Sequence, residues 1–424
     1  MKNVNEKPSE RSIYIWNITG SIANALFSIV TLMIVTRMLD DNEADIFSIA
    51  WTISQLMATI GTFQIRMYQA TDVTGVFSFR QYWKYRSLTV ILMLISSYIY
   101  IFIRGYTGEK KAVVLFVCVF RAIDSFADVY EGWFQQKERL DLSGKALTYR
   151  IIIAVIAFGT SVYFTRNLMI SVISLVVAYT VCLFVFDLRY QHSVHVFREE
   201  KSKENIKKDW ILNMTKEGLP LFINAFLMLS IMNAPKMVID TFIDQGNLNQ
   251  GLQTVFNIIF MPASFLNLAY IVFRPLITRM AIMWNAKKTK EFVRTLLRIL
   301  ASLILIGIGL LLGSALLGIP VLSMVYSVDL SEYKKELLII IVGGCIYTFA
   351  AVLDNALVVI RHQYALIVVY GLTYLYINNV VEYMIGVGGM MGAALSYASA
   401  MLVFFAVMAT VFLISFLVEK RKLK

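Results

Sequence analysis

Long apolar stretches alternate with short polar segments along the whole chain. Twelve of these stretches approach the length, about 20 residues, that an α-helix needs to cross the hydrocarbon core of a bilayer. They lie near residues 14–36, 46–65, 87–104, 112–130, 149–165, 169–188, 213–236, 251–273, 295–317, 337–360, 364–385 and 390–417. The pattern therefore predicts an all-α, polytopic membrane protein with about twelve transmembrane helices.

The composition agrees with a membrane protein and argues against soluble domains. Of the 424 residues, 58% are hydrophobic and only 16% are charged, and the mean hydropathy is +0.68. Soluble chains carry about 25% charged residues. The chain contains no dinucleotide-binding, phosphate-loop or zinc-protease motif, and its three cysteines and three histidines form no ligand pattern. We therefore expect a protein that is not an enzyme and that uses no cofactor or metal.

The net charge of +11 follows the expected topology and does not indicate a nucleic-acid partner. About 30 of the 39 Lys and Arg residues lie in the N-terminal segment, the C-terminal tail and alternate loops, and about seven lie on the opposite side. Two more lie inside predicted spans. Because cytoplasmic loops are enriched in Lys and Arg, we expect both termini to be cytoplasmic.

The longest internal connection, at 191–212, is basic and separates two predicted six-helix bundles, at 1–190 and 213–424. Arg66 and Arg274 each end the second span of their half on the cytoplasmic side. This arrangement is typical of transporters that are built from two repeats. Snorkelling towards the headgroups would explain either arginine alone, whereas the matched pair would form a cationic gate for a phosphate group.

An ionisable residue inside a span is costly, so each one is a candidate for a transport path. Lys236 follows Pro235 near the outer end of the seventh span, and Asp240 lies four residues further on. One interpretation is a cation that faces a central cavity and meets an anionic substrate. The other is a lysine that reaches the outer headgroups or pairs with Asp240 on the next helical turn.

The fourth span carries four charged residues, at spacings that place them on one helical face. They are Arg121, Asp124, Asp128 and Glu131. Such a face cannot contact lipid, so it must line a cavity or be paired internally. A structural ion pair between Arg121 and Asp124 is one interpretation. The other gives Arg121 a role in substrate binding and makes Asp124 and Asp128 candidates for ion coupling.

Two further charged residues complete the set of candidates. Arg37 ends the first span at the outer surface, close to several acidic residues. A solvated loop with local ion pairs explains it, and substrate contact is the alternative. Asp354 lies within the tenth span, as an unpaired carboxylate in a cavity or as a proton site. Together with Asp240 it extends the candidates for ion coupling.

Several short segments resemble those of bacterial polysaccharide repeat-unit flippases of the multidrug/oligosaccharidyl-lipid/polysaccharide exporter superfamily. They are VTRML at 35–39, EADIFSIA at 43–50, RMYQATDV at 66–73, DV at 128–129 with QQKERLD at 135–141, NAPK at 233–236, FMP at 260–262 and FRPL at 273–276. The resemblance spans the first seven or eight helices and the twelve-span plan. Spans nine to twelve are similar in hydropathy only.

The resemblance implies a MATE-like fold, with two six-helix bundles arranged as a V around a central cavity. It further implies that the substrate is an oligosaccharide on undecaprenyl diphosphate, moved from the inner to the outer leaflet of the bacterial cytoplasmic membrane. Arg66, Lys236 and Arg274 would then be the cavity cations that meet the diphosphate. The lipid bilayer and polysaccharide polymerase or assembly proteins are the other implied partners.

Four other functions compete with this interpretation. A peptidoglycan-precursor flippase or a drug or cation exporter of the same superfamily would share the fold. A polytopic glycosyltransferase, ligase or polymerase would need a long outer loop with catalytic side chains, and the predicted outer loops have only about 4 to 20 residues. A scaffold for polysaccharide assembly would differ from a flippase only in a transport assay.

Overall fold

The computed structural model describes residues 8–72, 75–194, 209–271, 274–362 and 364–422. Throughout these ranges the ordered elements are helices, and contacts between them group the chain into two compact units, Met1–Phe226 and Leu227–Lys424. The boundary between the units falls inside one continuous helix. Most of the basic linker predicted at 191–212 lies outside the described residues, so the predicted domain limits stay a prediction.

Within the described residues, eight α-helices and the first part of a ninth form the first unit. They are α1 (Glu10–Met38), α2 (Asp41–Thr62), α3 (Ile65–Thr71), α4 (Phe79–Ile103), α5 (Gly108–Gln136), α6 (Leu140–Thr165), α7 (Leu168–Cys182), α8 (Arg189–Ser193) and α9 (Trp210–Asp244). A π-helical turn, Leu183–Leu188, joins α7 to α8 without a break. Within this unit α1 packs along α6 and α2 along α5, while α4 contacts both α2 and α5.

The second unit begins within α9 and, in the part that the structure describes, contains six further α-helices. They are α10 (Leu252–Ile271), α11 (Arg274–Asn285), α12 (Thr289–Gly313), α13 (Ile319–Tyr326), α14 (Lys334–Val359) and α15 (Ala365–Lys422). Here α14 packs along α15 and also contacts α10 and α12.

Local sequence explains where many of these helices begin. Asp40 caps α2, because its side chain accepts a hydrogen bond from the Glu43 amide at 2.8 Å. Ser78 and Gln81 form a capping box, in which each side chain bonds to the backbone of the other residue, and this starts α4 at Phe79. The first turn of a helix has free N–H groups, and these side chains satisfy them.

Two glycines permit geometries that a side chain would prevent. At Gly144, α6 lies so close to α1 that a Cβ atom would overlap the main-chain oxygen of Trp16. Gly389 has φ 53° and ψ −129°, and it divides α15 into two arms, at 365–388 and 390–422. An unbroken helix of 58 residues would be about 87 Å long, far more than a bilayer needs. The two arms are therefore two spans.

The prediction of an all-α, polytopic membrane protein with about twelve spans is confirmed. Within the described residues, eight helices or runs of helices are long and apolar enough to cross a membrane, and α2 with α3 forms a ninth span bent by 44°. The second arm of α15 adds one. The remaining two are α5, whose charges lower its hydropathy, and α10, which contains Pro262.

Candidate functional site

The second span of the first unit is broken between α2 and α3. Phe63 and Gln64 both have left-handed backbone conformations, with φ of 44° and 51°. The carbonyl of Gly61 lies directly before this break. Arg86 Nη1 and Thr89 Oγ1 of α4 donate hydrogen bonds to this oxygen, at 2.9 and 2.7 Å. The broken span is thus held by side chains of a neighbouring helix.

Arg66 follows the break directly and points at two carboxylates of α5. Its Nη1 lies 2.8 Å from Asp128 Oδ1 and 2.9 Å from Glu131 Oε2. The side chain of Arg66 is 32% exposed, whereas that of Glu131 is 6% exposed. Arg66 is therefore a paired cation in this structure and not a bare charge at a span end.

Two fully buried arginines hold the other oxygens of the same carboxylates. Arg86 Nη2 of α4 lies 2.7 Å from Asp128 Oδ2. Arg150 Nη2 of α6 lies 2.6 Å from Glu131 Oε1, and its Nη1 lies 2.8 Å from Asp187 Oδ2 in the π-helical turn. Three helices, α3, α4 and α6, are thereby tied to α5 by hydrogen bonds between charged groups, which are stronger than those between neutral groups. The π-helical turn is tied to α6 in the same way.

The predicted ion pair within α5 is present at the next position along the same face. Arg121 Nη1 lies 3.2 Å from Asp124 Oδ2, and its guanidinium lies 4.5 Å from the centre of the Trp51 ring. Tyr179 of α7 donates a hydrogen bond to Asp124 Oδ1 at 3.1 Å, and Arg150 approaches the same oxygen at 3.8 Å. Asp124 is therefore fixed from three helices.

These side chains form one group, which we call the charge cluster: Arg66, Arg86, Arg121, Arg150, Asp124, Asp128, Glu131 and Asp187. Four positive and four negative charges balance, so the group can lie within an apolar unit without a net charge. A change that removed or displaced one member would leave an uncompensated charge there.

Four members of the charge cluster were not among the sequence candidates: Glu131, which was noted only as part of the charged face of its span, and Arg86, Arg150 and Asp187. Arg86 and Arg150 lie at the margins of the predicted spans, where they were counted with the cytoplasmic loops, and Asp187 lies at the end of one. In the structure α4 begins at Phe79 and α6 at Leu140, so both arginines lie well inside helices. The capping box at Ser78 was the available signal for Arg86, because it places the helix start two turns earlier.

Lys236 is the prominent cation of the second unit. It lies in α9, which continues through Pro235, and its Nζ lies 4.4 Å from the centre of the Phe260 ring. Among the residues that the structure describes, no carboxylate lies within 4 Å of Nζ, so a pair with Asp240 is not formed. Asp240 itself is buried. A cation–π contact lowers the cost of burying the ammonium but leaves its charge uncompensated.

Asp354 of α14 is the second candidate in this unit. Its Oδ2 accepts a hydrogen bond from the Tyr370 hydroxyl of α15 at 2.6 Å. Within the described part of the chain, no Lys, Arg or His nitrogen lies within 4 Å of this half-buried carboxylate. The tyrosine stabilises the carboxylate and leaves one oxygen available to a proton or a cation.

The remaining candidates lie apart from these groups in the chain. Arg37 is exposed in the last turn of α1, where a cation interacts favourably with the helix dipole. Arg274 begins α11, but its side chain lies outside what the structure describes. The structure thus brings four of the predicted residues together in the first unit, Arg66, Arg121, Asp124 and Asp128. The roles assigned to them from the sequence stay predictions.

Fold and charge placement define an all-helical, multi-pass membrane protein with ionic groups enclosed among its helices. A scan of protein-family models and a search of curated proteins give no match. Solved structures, in contrast, match along nearly the whole chain. An inward-facing multidrug resistance MATE family transporter of the MOP superfamily has a TM-score of 0.69 at 12% identity, over 92% of this chain and 94% of that one.

Two other solved structures show the same likeness. The lipid II flippase MurJ in an inward closed conformation gives a TM-score of 0.63 at 14% identity, over 93% of this chain and 87% of its own. A MOP superfamily transporter from Pyrococcus furiosus gives 0.59 at 13% identity, over 100% and 99%. The binding pocket of that transporter has a reversed polarity, which suggests a different function for that protein. The chain therefore has the MATE-type fold of MOP superfamily transporters.

Proposed function

We propose that this protein is a flippase that moves an undecaprenyl-diphosphate-linked oligosaccharide from the inner to the outer leaflet of the bacterial cytoplasmic membrane. Lys236 is the observation that carries the proposal. It is an ammonium group within a membrane span that contacts an aromatic ring and has no described counter-ion. Such a group is expensive unless an anion reaches it. The diphosphate of a lipid-linked sugar is an anion that enters from the membrane.

The physical task of the protein is to lower the barrier for a charged headgroup. A diphosphate carries about two negative charges and cannot cross hydrocarbon without a polar path. Alternating access would present Lys236, Arg66 and Arg274 to the headgroup, with Arg37 and Arg121 as further contacts, while the lipid tail stays in the bilayer. The likeness in fold to MurJ supports a lipid-linked substrate for this chain.

Energy for transport would come from an ion gradient or the membrane potential, because the sequence has no ATP-binding motif. Asp124, Asp128, Asp240 and Asp354 are the candidates for the coupling site. Both termini would face the cytoplasm, in agreement with the distribution of Lys and Arg. A transporter of this kind needs no catalytic residues, and polymerase or assembly proteins would receive its product.

Complementation of a deletion strain tests the proposal. Wild type should restore surface polysaccharide, and undecaprenyl-linked units should accumulate in the inner leaflet without it. Lys236→Gln should reduce export at least tenfold at normal expression, because the headgroup loses one charge-assisted contact. Lys236→Arg should retain more activity than Lys236→Gln. Lys290→Gln, which removes one exposed positive charge from the same unit, is the matched control.

Each outcome separates the alternatives. Normal surface polysaccharide in the deletion strain, with no second flippase, would contradict the proposed function. If the deletion instead raises drug sensitivity, export of drugs or cations takes its place. If lipid II becomes the accumulating species, the protein is a peptidoglycan-precursor flippase. Full activity of Lys236→Gln would remove Lys236 from the substrate path.

A further inference from the structure

The two carboxylates that hold Arg66 share an unusual geometry. Asp128 Oδ2 accepts a hydrogen bond from the buried Arg86 at 2.7 Å, and its Oδ1 accepts one from Arg66. Glu131 Oε1 accepts a hydrogen bond from the buried Arg150 at 2.6 Å, and its Oε2 accepts one from Arg66. One oxygen of each carboxylate is therefore anchored, and the other forms part of a fixed anionic cradle. We use the name Arg66 cradle for Asp128 and Glu131 together.

Arg66 itself is far less constrained than the cradle. The side chains of Arg86 and Arg150 are 0% exposed, whereas that of Arg66 is 32% exposed, more than any other member of the charge cluster. Arg66 is also the second residue of the seven-residue α3, directly after the break in the second span. A long arginine side chain at this place can leave the cradle while the carboxylates stay anchored.

The cradle determines how strongly Arg66 can attract an anion. A guanidinium binds carboxylates and phosphates through the same N–H groups. Both carboxylates bind Nη1 of Arg66, and their two negative charges offset the positive charge of the guanidinium. A diphosphate that reaches Arg66 therefore gains less from it while the cradle is in place, and it gains more when Arg66 moves away from the cradle.

We propose that Asp128 and Glu131 are an internal counter-anion that competes with the substrate for Arg66 and so sets how tightly the diphosphate is held. This inference rests on the proposed function and adds to it the residues that weaken binding. Competition of this kind lets a cationic site accept a doubly charged headgroup and still release it. When the headgroup leaves, the anchored carboxylates pair with Arg66 again.

A purely structural role for the cradle predicts something different. Arg66 would then only hold α3 against α5, and a loss of either carboxylate would lower stability without raising affinity for an anion. The internal counter-anion predicts a gain of affinity when the cradle loses charge. This gain should depend on Arg66.

Binding of undecaprenyl diphosphate to the full-length protein in lipid nanodiscs provides the test. Asp128→Asn and Glu131→Gln, made separately, should each lower the apparent Kd about tenfold, the size expected when one charge-assisted competitor is removed. Both should also slow release of the lipid. Glu109→Gln is the matched control, because it removes one exposed carboxylate at the other end of α5. Its Kd should equal that of wild type.

A double-mutant cycle ties the gain to Arg66. Arg66→Gln should raise the Kd, and Asp128→Asn or Glu131→Gln should produce no gain in that background. An undiminished gain in the Arg66→Gln background, or an unchanged Kd in both single variants, would overturn the inference. If wild type itself does not bind undecaprenyl diphosphate, the proposed function fails instead. Because the two carboxylates are anchored by different arginines, one variant remains informative if the other does not fold.

Discussion

Removal of Arg150 should be among the most costly single substitutions in the first unit. Its buried guanidinium lies 2.6 Å from Glu131 and 2.8 Å from Asp187. In Arg150→Met, Glu131 keeps Arg66, but Asp187 has no other described cation within 4 Å and is fully buried. The loss of one partner from a buried ion pair costs about 3–5 kcal/mol. We therefore expect a loss of this size in the free energy of unfolding.

A second substitution, at Asp187, should restore part of the stability that Arg150→Met loses. Asp187→Asn removes the charge that Arg150→Met leaves unpaired, so the double variant should recover more than half of the lost stability. Coupling between the two substitutions would be about 2 kcal/mol or more, within the range for residues in direct contact. The asparagine amide can still form hydrogen bonds, whereas an unpaired carboxylate would remain charged in an apolar surrounding.

Equilibrium unfolding in mixed micelles, followed by tryptophan fluorescence, measures these differences. Lys288→Met is the control, because it breaks an exposed ion pair with Glu291 at 3.5 Å, and such pairs contribute less than about 1 kcal/mol. The reasoning is refuted if Arg150→Met unfolds within about 1 kcal/mol of wild type. It is also refuted if the double variant is no more stable than Arg150→Met.

Two glycine substitutions test the packing of the helices. Gly144→Ala should destabilise the first unit by about 1–3 kcal/mol, because its Cβ would overlap the Trp16 oxygen. The control, Gly159→Ala in the same helix, should be neutral or stabilising. Equal melting temperatures for these two variants would contradict the close α1–α6 contact. Gly389→Ala should cost about 1–3 kcal/mol through backbone strain. In Gly388→Ala the new Cβ meets no atom within 4 Å, so this variant should be tolerated. If Gly388→Ala were instead less stable than Gly389→Ala, the kink at Gly389 would be ruled out.

Local rules predicted much of this molecule correctly. An apolar run of about 20 residues has one energetically acceptable structure in a bilayer, so the spans could be predicted without knowledge of their neighbours. The charged face of α5 follows equally from helical periodicity. The Arg121–Asp124 pair is an i,i+3 contact within that helix, so its partners could be predicted from spacing alone, and the pair is present at 3.2 Å.

Partners on different helices could not be predicted in this way. Arg66 and Asp128 are 62 residues apart, and helical periodicity gives the face of each helix but not the helix that it meets. Arg86 and Arg150 were missed for a related reason. A charge near the end of an apolar run is normally a sign of the aqueous loop. A buried position is acceptable for these arginines because they pair with carboxylates of α5 and, for Arg150, also with Asp187.

The contact of Lys236 with Phe260 shows that a partner suggested within one helix can also be the wrong one. The sequence identified Lys236 as a cation within a span and offered Asp240 as a partner on the next turn. The structure instead places an aromatic ring of α10 at 4.4 Å from the ammonium. Intervals of four residues make an ion pair possible, but the rotamer is selected by packing against another helix.

The backbone break between α2 and α3 connects the packing of the helices to the charge cluster. Two consecutive left-handed residues without glycine cost about 1–2 kcal/mol each, so surrounding contacts must compensate for them. Phe63 stacks on Phe222 of α9 with ring centres 4.6 Å apart, and Arg86 and Thr89 donate to the carbonyl that lies next to the break. Arg86 uses its other nitrogen to anchor Asp128. The group that stabilises the broken backbone therefore also fixes the counter-ion of Arg66, so a change in the break would alter the charge that Arg66 offers to a substrate.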